Sequence, residues 1–206
     1  STGLSILDSD LSNLHLDRWL LGGTRSTDPN TGQTTLHVVA NHVNFDKDSH
    51  VSAKDLLAVA KKSIHVNSGS ILTANALVNT GDSQLLIDGD SALLRLSGDK
   101  QVTLNQTNSR GDQGELFVDK GAILQGMTTN SKTTSLQSAL LSGTHGNHLL
   151  GTLSMQGGAL GLYAKTIQLG QVPTQSSALN LSNEQLATIH VDQLQLNSQH
   201  AIGLYG

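Results

Sequence analysis

The hydrophobic residues of this chain come in short alternating groups, and the groups recur along the sequence. Residues 33–53 (QTTLHVVANHVNFDKDSHVSA) and 54–74 (KDLLAVAKKSIHVNSGSILTA) show this most clearly, because a shift of 21 positions superposes their apolar residues without a gap. The superposed pairs are Leu36 with Leu57, Val38 with Val59, Val43 with Ile64, Phe45 with Val66, Val51 with Leu72 and Ala53 with Ala74. Alternation is typical of strands, and a fixed short repeat is typical of solenoids.

Each unit is therefore predicted to form three short strands joined by corners, as in one coil of a parallel β-helix. Similar apolar groups continue through 83–106, 114–126, 151–170 and 178–204. Polar stretches at 105–114, 126–135, 142–148 and 170–177 are predicted to be loops inserted at the corners, where solenoids often carry binding. The sequence predicts an all-β fold over 1–206, a single β-helix segment of a longer rod, with irregular ends at 1–30 and 182–206.

One stretch departs from the strand pattern. In LSNEQLATI (181–189), Ser182 precedes Gln185 by three positions, which is the spacing of a helix capping box. We expect one short helical turn there, with an ordinary loop as the alternative.

The composition agrees with a narrow, repetitive core. Aromatic residues make up only 2% of the chain, whereas 36% of its residues are hydrophobic, which is too many for a disordered segment. The net charge of −4 comes without a basic stripe, so nucleic acid is not expected as a partner. No Cys is present, which excludes disulfides and thiolate chemistry, and no apolar run is long enough to insert into a membrane.

Five phrases, in order along nearly the whole chain, carry a family resemblance: LLGGTRS (20–26), GDSALLRLS (89–97), GELFVDKGAIL (114–124), GGALGLYAKTIQLG (157–170) and LNLSNEQLATI (179–189). They resemble filamentous haemagglutinin-like exoproteins, the secreted partners of bacterial two-partner secretion systems. The resemblance implies a right-handed parallel β-helix, export through an outer-membrane transporter, a place at the bacterial cell surface, and a role in adhesion, biofilm formation or contact-dependent inhibition.

One short motif favours binding. Arg110, Gly111 and Asp112, within SRGDQG, form the tripeptide that some eukaryotic integrins recognise, and they lie in a polar loop. A receptor of that type would coordinate the Asp112 carboxylate to its own metal and pair Arg110 with an acidic pocket. The alternative is a hydrophilic turn without a ligand, because three residues match by chance easily.

Candidate catalytic and metal-binding groups are sparse. Asp82, Asp88 and Asp90 with Arg95 form the best acidic cluster, but the sequence Asp-Gly-Asp is also typical of a tight corner. His145 with His148 falls short of a closed metal shell. The series Asp46, Asp48 and His50 lacks the glycine and distal glutamate of a calcium loop.

We interpret the chain as a non-enzymatic, structural or adhesive segment of a secreted bacterial exoprotein, without a cofactor or metal. A host-cell receptor, a surface glycan or a biofilm matrix component is the expected partner. Two alternatives stay open: a carbohydrate-active β-helix, acting as a polysaccharide lyase or hydrolase, and a segment of a phage or viral fibre.

Overall fold

The computed structural model describes residues 3–6, 17–130, 132–133, 135–171 and 178–205. In chain order the strands are β1 (Gly3–Ile6), β2 (Arg18–Leu21), β3 (Gly23–Thr27), β4 (Gln33–Val38), β5 (His42–Phe45), β6 (His50–Ala53), β7 (Asp55–Ala60), β8 (Ser63–Val66), β9 (Ile71–Ala74), β10 (Gln84–Asp88), β11 (Ala92–Ser97), β12 (Thr103–Thr107), β13 (Glu115–Val118), β14 (Ile123–Gly126), β15 (Thr128–Thr129), β16 (Lys132–Thr133), β17 (Ser138–Gly143), β18 (Gly146–Leu149), β19 (Thr152–Ser154), β20 (Ala159–Gly170), β21 (Leu179–Leu181) and β22 (Gln193–Tyr205). One helix, α1, spans Asn183–Thr188. The chain is all-β, and most of its strand pairs are parallel.

Two sheets are parallel throughout and carry the predicted repeat. The first sheet has the order β1-β5-β8-β13-β18, and the second has the order β19-β14-β9-β6. Val43 pairs with Ile64 in the first sheet, and Val51 pairs with Leu72 in the second. Four of the six superposed pairs, all those from Val43 onward, are therefore real neighbours at a spacing of 21 residues.

The third sheet is mixed and has the order β2-β7-β11-β17-β20-β21, with β22 also paired to β20. Strand β11 runs antiparallel to both of its neighbours, β7 and β17. Every residue of β7, β11 and β17 is buried, which shows that this sheet is covered on both faces. A sheet buried on both faces has near-continuous hydrophobic strands rather than alternating ones, as in ALLRLS.

A fourth sheet, here called the covering sheet, has the order β12-β10-β4-β3. Strands β3 and β4 form an antiparallel hairpin around the TDPNTG turn (27–32), and β4 and β12 both pair in parallel with β10. The long segment between β9 and β13 supplies β10 and β12 to this sheet and β11 to the third sheet. It is an excursion out of the repeat rather than another turn of it.

Two hydrophobic clusters follow from these four sheets. The first core lies between the first, second and third sheets and contains Val43, Ile64, Leu72, Leu94 and Leu116, among others. The second core lies between the outer face of the third sheet and the covering sheet; its members include Leu36, Leu57, Leu85, Leu93 and Tyr163.

The predicted stacking of Leu36 on Leu57 and of Val38 on Val59 is wrong. Strand β4 pairs with β3 and β10, and β7 pairs with β2 and β11, so the two segments lie in different sheets. Leu36 is nevertheless buried, because it faces Leu57 and Val59 across the second core. Alternation shows which side of a strand is apolar, but it does not identify the partner strand.

The helical turn predicted at 181–189 is confirmed as α1. The Ser182 hydroxyl accepts a hydrogen bond from the Gln185 backbone N–H, and the Gln185 side chain accepts one from the Ser182 backbone, which completes the capping box. Leu186 and Ile189 of this segment pack against the first core. The predicted irregular ends contain regular elements where they are described: β1, β2 and β3 in 1–30, and α1 and β22 in 182–206.

The predicted loop at 142–148 is mostly strand. β17 ends at Gly143 and β18 begins at Gly146, so only two residues turn the corner. The predicted loop at 126–135 holds the small hairpin of β15 and β16. Most of the predicted loop at 170–177 lies outside the described residues.

Candidate functional site

The Arg110–Gly111–Asp112 turn is built around one carboxylate, that of Asp90. Its Oδ1 accepts hydrogen bonds from the Ser109 hydroxyl at 2.7 Å and from the backbone N–H groups of Arg110 and Gly111, both at 2.9 Å. Its Oδ2 accepts from the backbone N–H groups of Asp112 at 2.9 Å and Gln113 at 3.1 Å. Five donors on consecutive residues therefore converge on one side chain and fix the path of the turn.

This arrangement favours the ionised form of Asp90. Partial burial raises the pKa of Asp90, but the hydrogen bonds from the Ser109 hydroxyl and the backbone N–H groups of Gly111, Asp112 and Gln113 outweigh it, so the pKa lies below its ordinary value. Asp90 is therefore charged at neutral pH, and charge-assisted hydrogen bonds of this kind are stronger than neutral ones.

The inner side of the turn is held by the corner between β17 and β18. The His145 Nδ1–H donates to the Gly111 carbonyl at 2.7 Å, and the Thr144 hydroxyl donates to the Gln113 carbonyl. Gly111 has φ +74°, and a Cβ on it would lie 3.3 Å from the Thr144 carbonyl oxygen. A residue with a side chain would be strained there, so glycine suits this position of the tripeptide.

The Arg110 and Asp112 side chains take no part in these anchoring hydrogen bonds. Both residues are exposed, and neither the guanidinium nor the carboxylate has a hydrogen-bond or ion-pair partner among the described residues. They line an open cleft of about 720 Å³ whose opposite wall includes residues 35–38 of β4 and Lys61. The turn thus presents one positive and one negative side chain on a fixed backbone, beside a space large enough for a partner.

The acidic cluster predicted from the sequence does not converge on one point. Asp88 accepts from the side chains of Thr107 and Asn108, at 3.1 and 2.6 Å, so it supports the start of the same loop. The Asp88–Gly89–Asp90 segment forms the turn between β10 and β11, as the corner interpretation expects. Asp82 and Arg95 are buried elsewhere, in a network between the third sheet and the covering sheet.

That buried network joins residues far apart in the sequence. Arg18 Nη2 lies 2.7 Å from Asp82 Oδ2, and Arg18 Nε lies 3.4 Å from Asp55 Oδ2. On the other side of Asp55, Arg95 Nε lies 3.4 Å from Oδ1, and both residues are only 1% exposed. Desolvation by burial lowers the pKa of Arg95, although Asp55 raises it, and an arginine stays charged in proteins. We assign this network a structural role.

The other residues singled out from the sequence are also separate. His145 binds the Gly111 carbonyl, whereas the His148 ring stacks on Phe117, with 4.5 Å between the ring centroids. Asp46 accepts from the Ser5 hydroxyl at the N-terminal edge. The described part of the chain contains no cluster of three or more His, Cys, Asp or Glu that could hold a metal.

Sequence reasoning missed the Asp90 anchor and an aromatic ladder on the first sheet. His65, Phe117 and His148 are direct neighbours on β8, β13 and β18, and their rings stack at centroid distances of 4.8 and 4.5 Å. The excursion between β9 and β13 separates His65 from Phe117 in sequence, so the repeat could not align them. The Asp-Gly-Asp sequence indicates a turn at Asp90, but nothing in the sequence indicates that residues 109–113 donate hydrogen bonds to its carboxylate.

Comparison with known proteins found no matching family model, no similar curated protein and no similar solved structure. No helix of the described residues is long and apolar enough to cross a membrane.

Proposed function

We propose that the chain is a structural and adhesive segment of a large secreted bacterial exoprotein, built as a right-handed parallel β-helix. The support is the order in which the chain visits its sheets. It passes from the first to the second to the third sheet in β5-β6-β7, again in β13-β14-β17 and again in β18-β19-β20. Connections between parallel strands of one sheet are nearly always right-handed, which favours that hand here.

The adhesive part of the proposal rests on one observation. Asp90 fixes the backbone of the 109–113 turn, while the Arg110 and Asp112 side chains stay exposed and unpaired among the described residues. A recognition loop gains affinity when its backbone is already ordered before binding. The partner that fits is a host-cell receptor that binds Asp112 through a divalent cation and Arg110 through acidic groups.

The resemblance of five phrases to filamentous haemagglutinin-like exoproteins supports the cellular location in this proposal. In that setting the parent chain leaves the cell through an outer-membrane transporter and acts at the bacterial surface, where glycans and biofilm matrix are further partners. No catalytic role is proposed, because the three aspartates of the acidic cluster have different structural partners.

Attachment of integrin-bearing cells to a surface coated with this chain tests the proposal. Asp112→Glu keeps the charge but moves it outward by one methylene, so attachment should fall to the level of an albumin-coated surface. Chelation of divalent cations should have the same effect. Asp17→Glu, at a carboxylate that is 69% exposed and does not line the cleft beside the turn, is the matched control and should attach cells like the wild type. Undiminished attachment of Asp112→Glu would discard the proposed receptor.

A further inference from the structure

A second, smaller pocket lies where the covering sheet ends. Strand β12 is the edge of the covering sheet, and beyond it the third sheet continues with β20 and β22. Ser142, Tyr163 and Asn197 are direct neighbours on β17, β20 and β22, so their side chains form one row on the outer face of the third sheet. Strand β12 on one side and this row of side chains on the other line a pocket of about 220 Å³.

Two buried polar atoms of residues that line this pocket have no partner among the described residues: the Tyr163 hydroxyl and Gln106 Oε1. Tyr163 is only 8% exposed. The Gln106 Nε2 group already donates to the Gly89 carbonyl and the Ser91 hydroxyl, so the side chain cannot turn its oxygen towards them. A buried polar atom left without a hydrogen bond destabilises a fold, so such atoms require an explanation.

The polar groups that line this pocket indicate which kind of ligand it can bind. Gln106 Oε1 can only accept a hydrogen bond, the Tyr163 hydroxyl can donate or accept, and the remaining polar side chains are amides and hydroxyls, such as Asn105 and Gln199. No residue that lines the pocket carries a charge. A hydroxyl group can donate to Gln106 Oε1 and can donate to or accept from the Tyr163 hydroxyl, so a ligand with several hydroxyl groups suits both unpaired atoms, whereas a carboxylate could not donate to Gln106.

We propose that this pocket binds one residue of a neutral glycan. The volume equals roughly seven water molecules in the liquid, which is comparable with a single pyranose ring. The proposal rests on the adhesive function above for its biological role, but the pocket does not involve Arg110 or Asp112. It is joined to their turn by two of its lining residues: the Thr144 hydroxyl donates to the Gln113 carbonyl, and Gln199 Nε2 donates to the Ser109 hydroxyl at 3.4 Å.

Saturation-transfer NMR with a panel of neutral methyl pyranosides and N-acetylglucosamine, alongside glucuronate as the charged comparison, tests the proposal. At least one neutral sugar should bind the wild-type chain more tightly than glucuronate does. Tyr163→Phe should weaken that binding about tenfold, the loss expected for one hydrogen bond. Tyr205→Phe, at the other tyrosine of the chain and outside the pocket, is the matched control and should bind like the wild type.

Thermal unfolding of the same variants separates binding from folding. Because the Tyr163 hydroxyl has no partner among the residues that the structure describes, Tyr163→Phe should be as stable as the wild type or more stable. If that variant fails to fold, Asn197→Ala on the exposed strand β22 replaces it in the binding assay, with the same expected loss of affinity.

Three outcomes would overturn the proposal: no neutral sugar binds, so that water alone fills the pocket; Tyr163→Phe binds the sugar unchanged; or glucuronate binds best. If one of these outcomes is seen while cell attachment in the same preparation still depends on Asp112, the glycan proposal is wrong and the receptor proposal stands.

Discussion

The two cores of this chain are built in different ways. The first core is made of aliphatic residues that recur at a fixed spacing, such as Val43 and Ile64, which are direct neighbours on parallel strands. The second core is made of residues brought together by the excursion between β9 and β13, and it borders a buried network of Arg18, Asp55 and Arg95.

The third sheet takes part in both cores. Its inner face packs in the first core, while its outer face packs against the covering sheet in the second core. The excursion that supplies this layer contains both the Asp90 anchor and the Arg110–Asp112 turn. The corner between β17 and β18 supplies the other contacts to this turn, through Thr144 and His145.

The largest effect is expected in the first core. Ile64 is fully buried among aliphatic neighbours, so Ile64→Asp places a carboxylate without a partner in an apolar site and should lower the free energy of unfolding by several kcal/mol. Lys62→Asp, two residues away and exposed, should stay within about 0.5 kcal/mol of the wild type. Equal effects of the two changes in urea denaturation would contradict the assignment of Ile64 to the core.

The buried network beside the second core should be sensitive to the loss of one charge. Asp55→Ala leaves Arg95 buried without its carboxylate partner, so it should cost about 3–5 kcal/mol. The double change Asp55→Leu with Arg95→Met removes both charges and should recover most of that loss. Chemical denaturation of the single and double variants measures this, and a double variant no more stable than Asp55→Ala would argue against a paired buried network.

A smaller effect is expected at the anchor of the turn. Asp90→Asn removes the charge that five donors face, and it should cost about 2 kcal/mol, the range for hydrogen bonds to a charged group. Because the pKa of Asp90 is lowered in the folded chain, its contribution is complete above the ordinary value of 3.8 and is lost as the pH falls through the lowered pKa. The stability difference between wild type and Asp90→Asn, followed by denaturation from pH 7 downward, should therefore shrink below pH 3.8. A stability difference between the wild type and Asp90→Asn that grows as the pH falls would contradict this expectation.

The smallest effect is expected at the tip of the turn. The Asp112 carboxylate is exposed and has no partner among the described residues, so Asp112→Glu should change the free energy of unfolding by less than about 0.5 kcal/mol. Denaturation beside Asp90→Asn measures the contrast between the anchor and the displayed side chain. A loss as large as that of Asp90→Asn would show that Asp112 helps to hold the turn.

The sequence predicted those parts of the fold that depend on local pattern. The pairs Val43–Ile64 and Val51–Leu72, the capping box at Ser182 and Gln185, and the Asp88–Gly89–Asp90 corner each involve either neighbours in sequence or neighbours at the repeat spacing. Their physical cause is local, so the residue types carry the signal.

The sequence did not predict the pairing of those strands whose partner is not the strand one repeat away. Residues 33–38 alternate just as residues 54–59 do, but β4 pairs with β10 across an interval of 51 residues, as in Gln33 with Gln84. Nothing in the alternation distinguishes those partners, and nothing in it shows that β11 runs antiparallel. The candidate turn was placed correctly in a polar loop, but its anchor Asp90 lies about twenty positions upstream and could not be inferred.

Oxidation of double-cysteine variants tests the division into two cores most directly, because the chain has no native Cys to interfere. The structure makes residue 33 a direct neighbour of residue 84, within the range that a disulfide requires, whereas the simple repeat would place it beside residue 54. Gln33→Cys with Gln84→Cys should therefore cross-link readily in the folded chain, whereas Gln33→Cys with Lys54→Cys should not. Cross-linking of the 33–54 pair in place of the 33–84 pair would contradict the covering sheet and, with it, the second core.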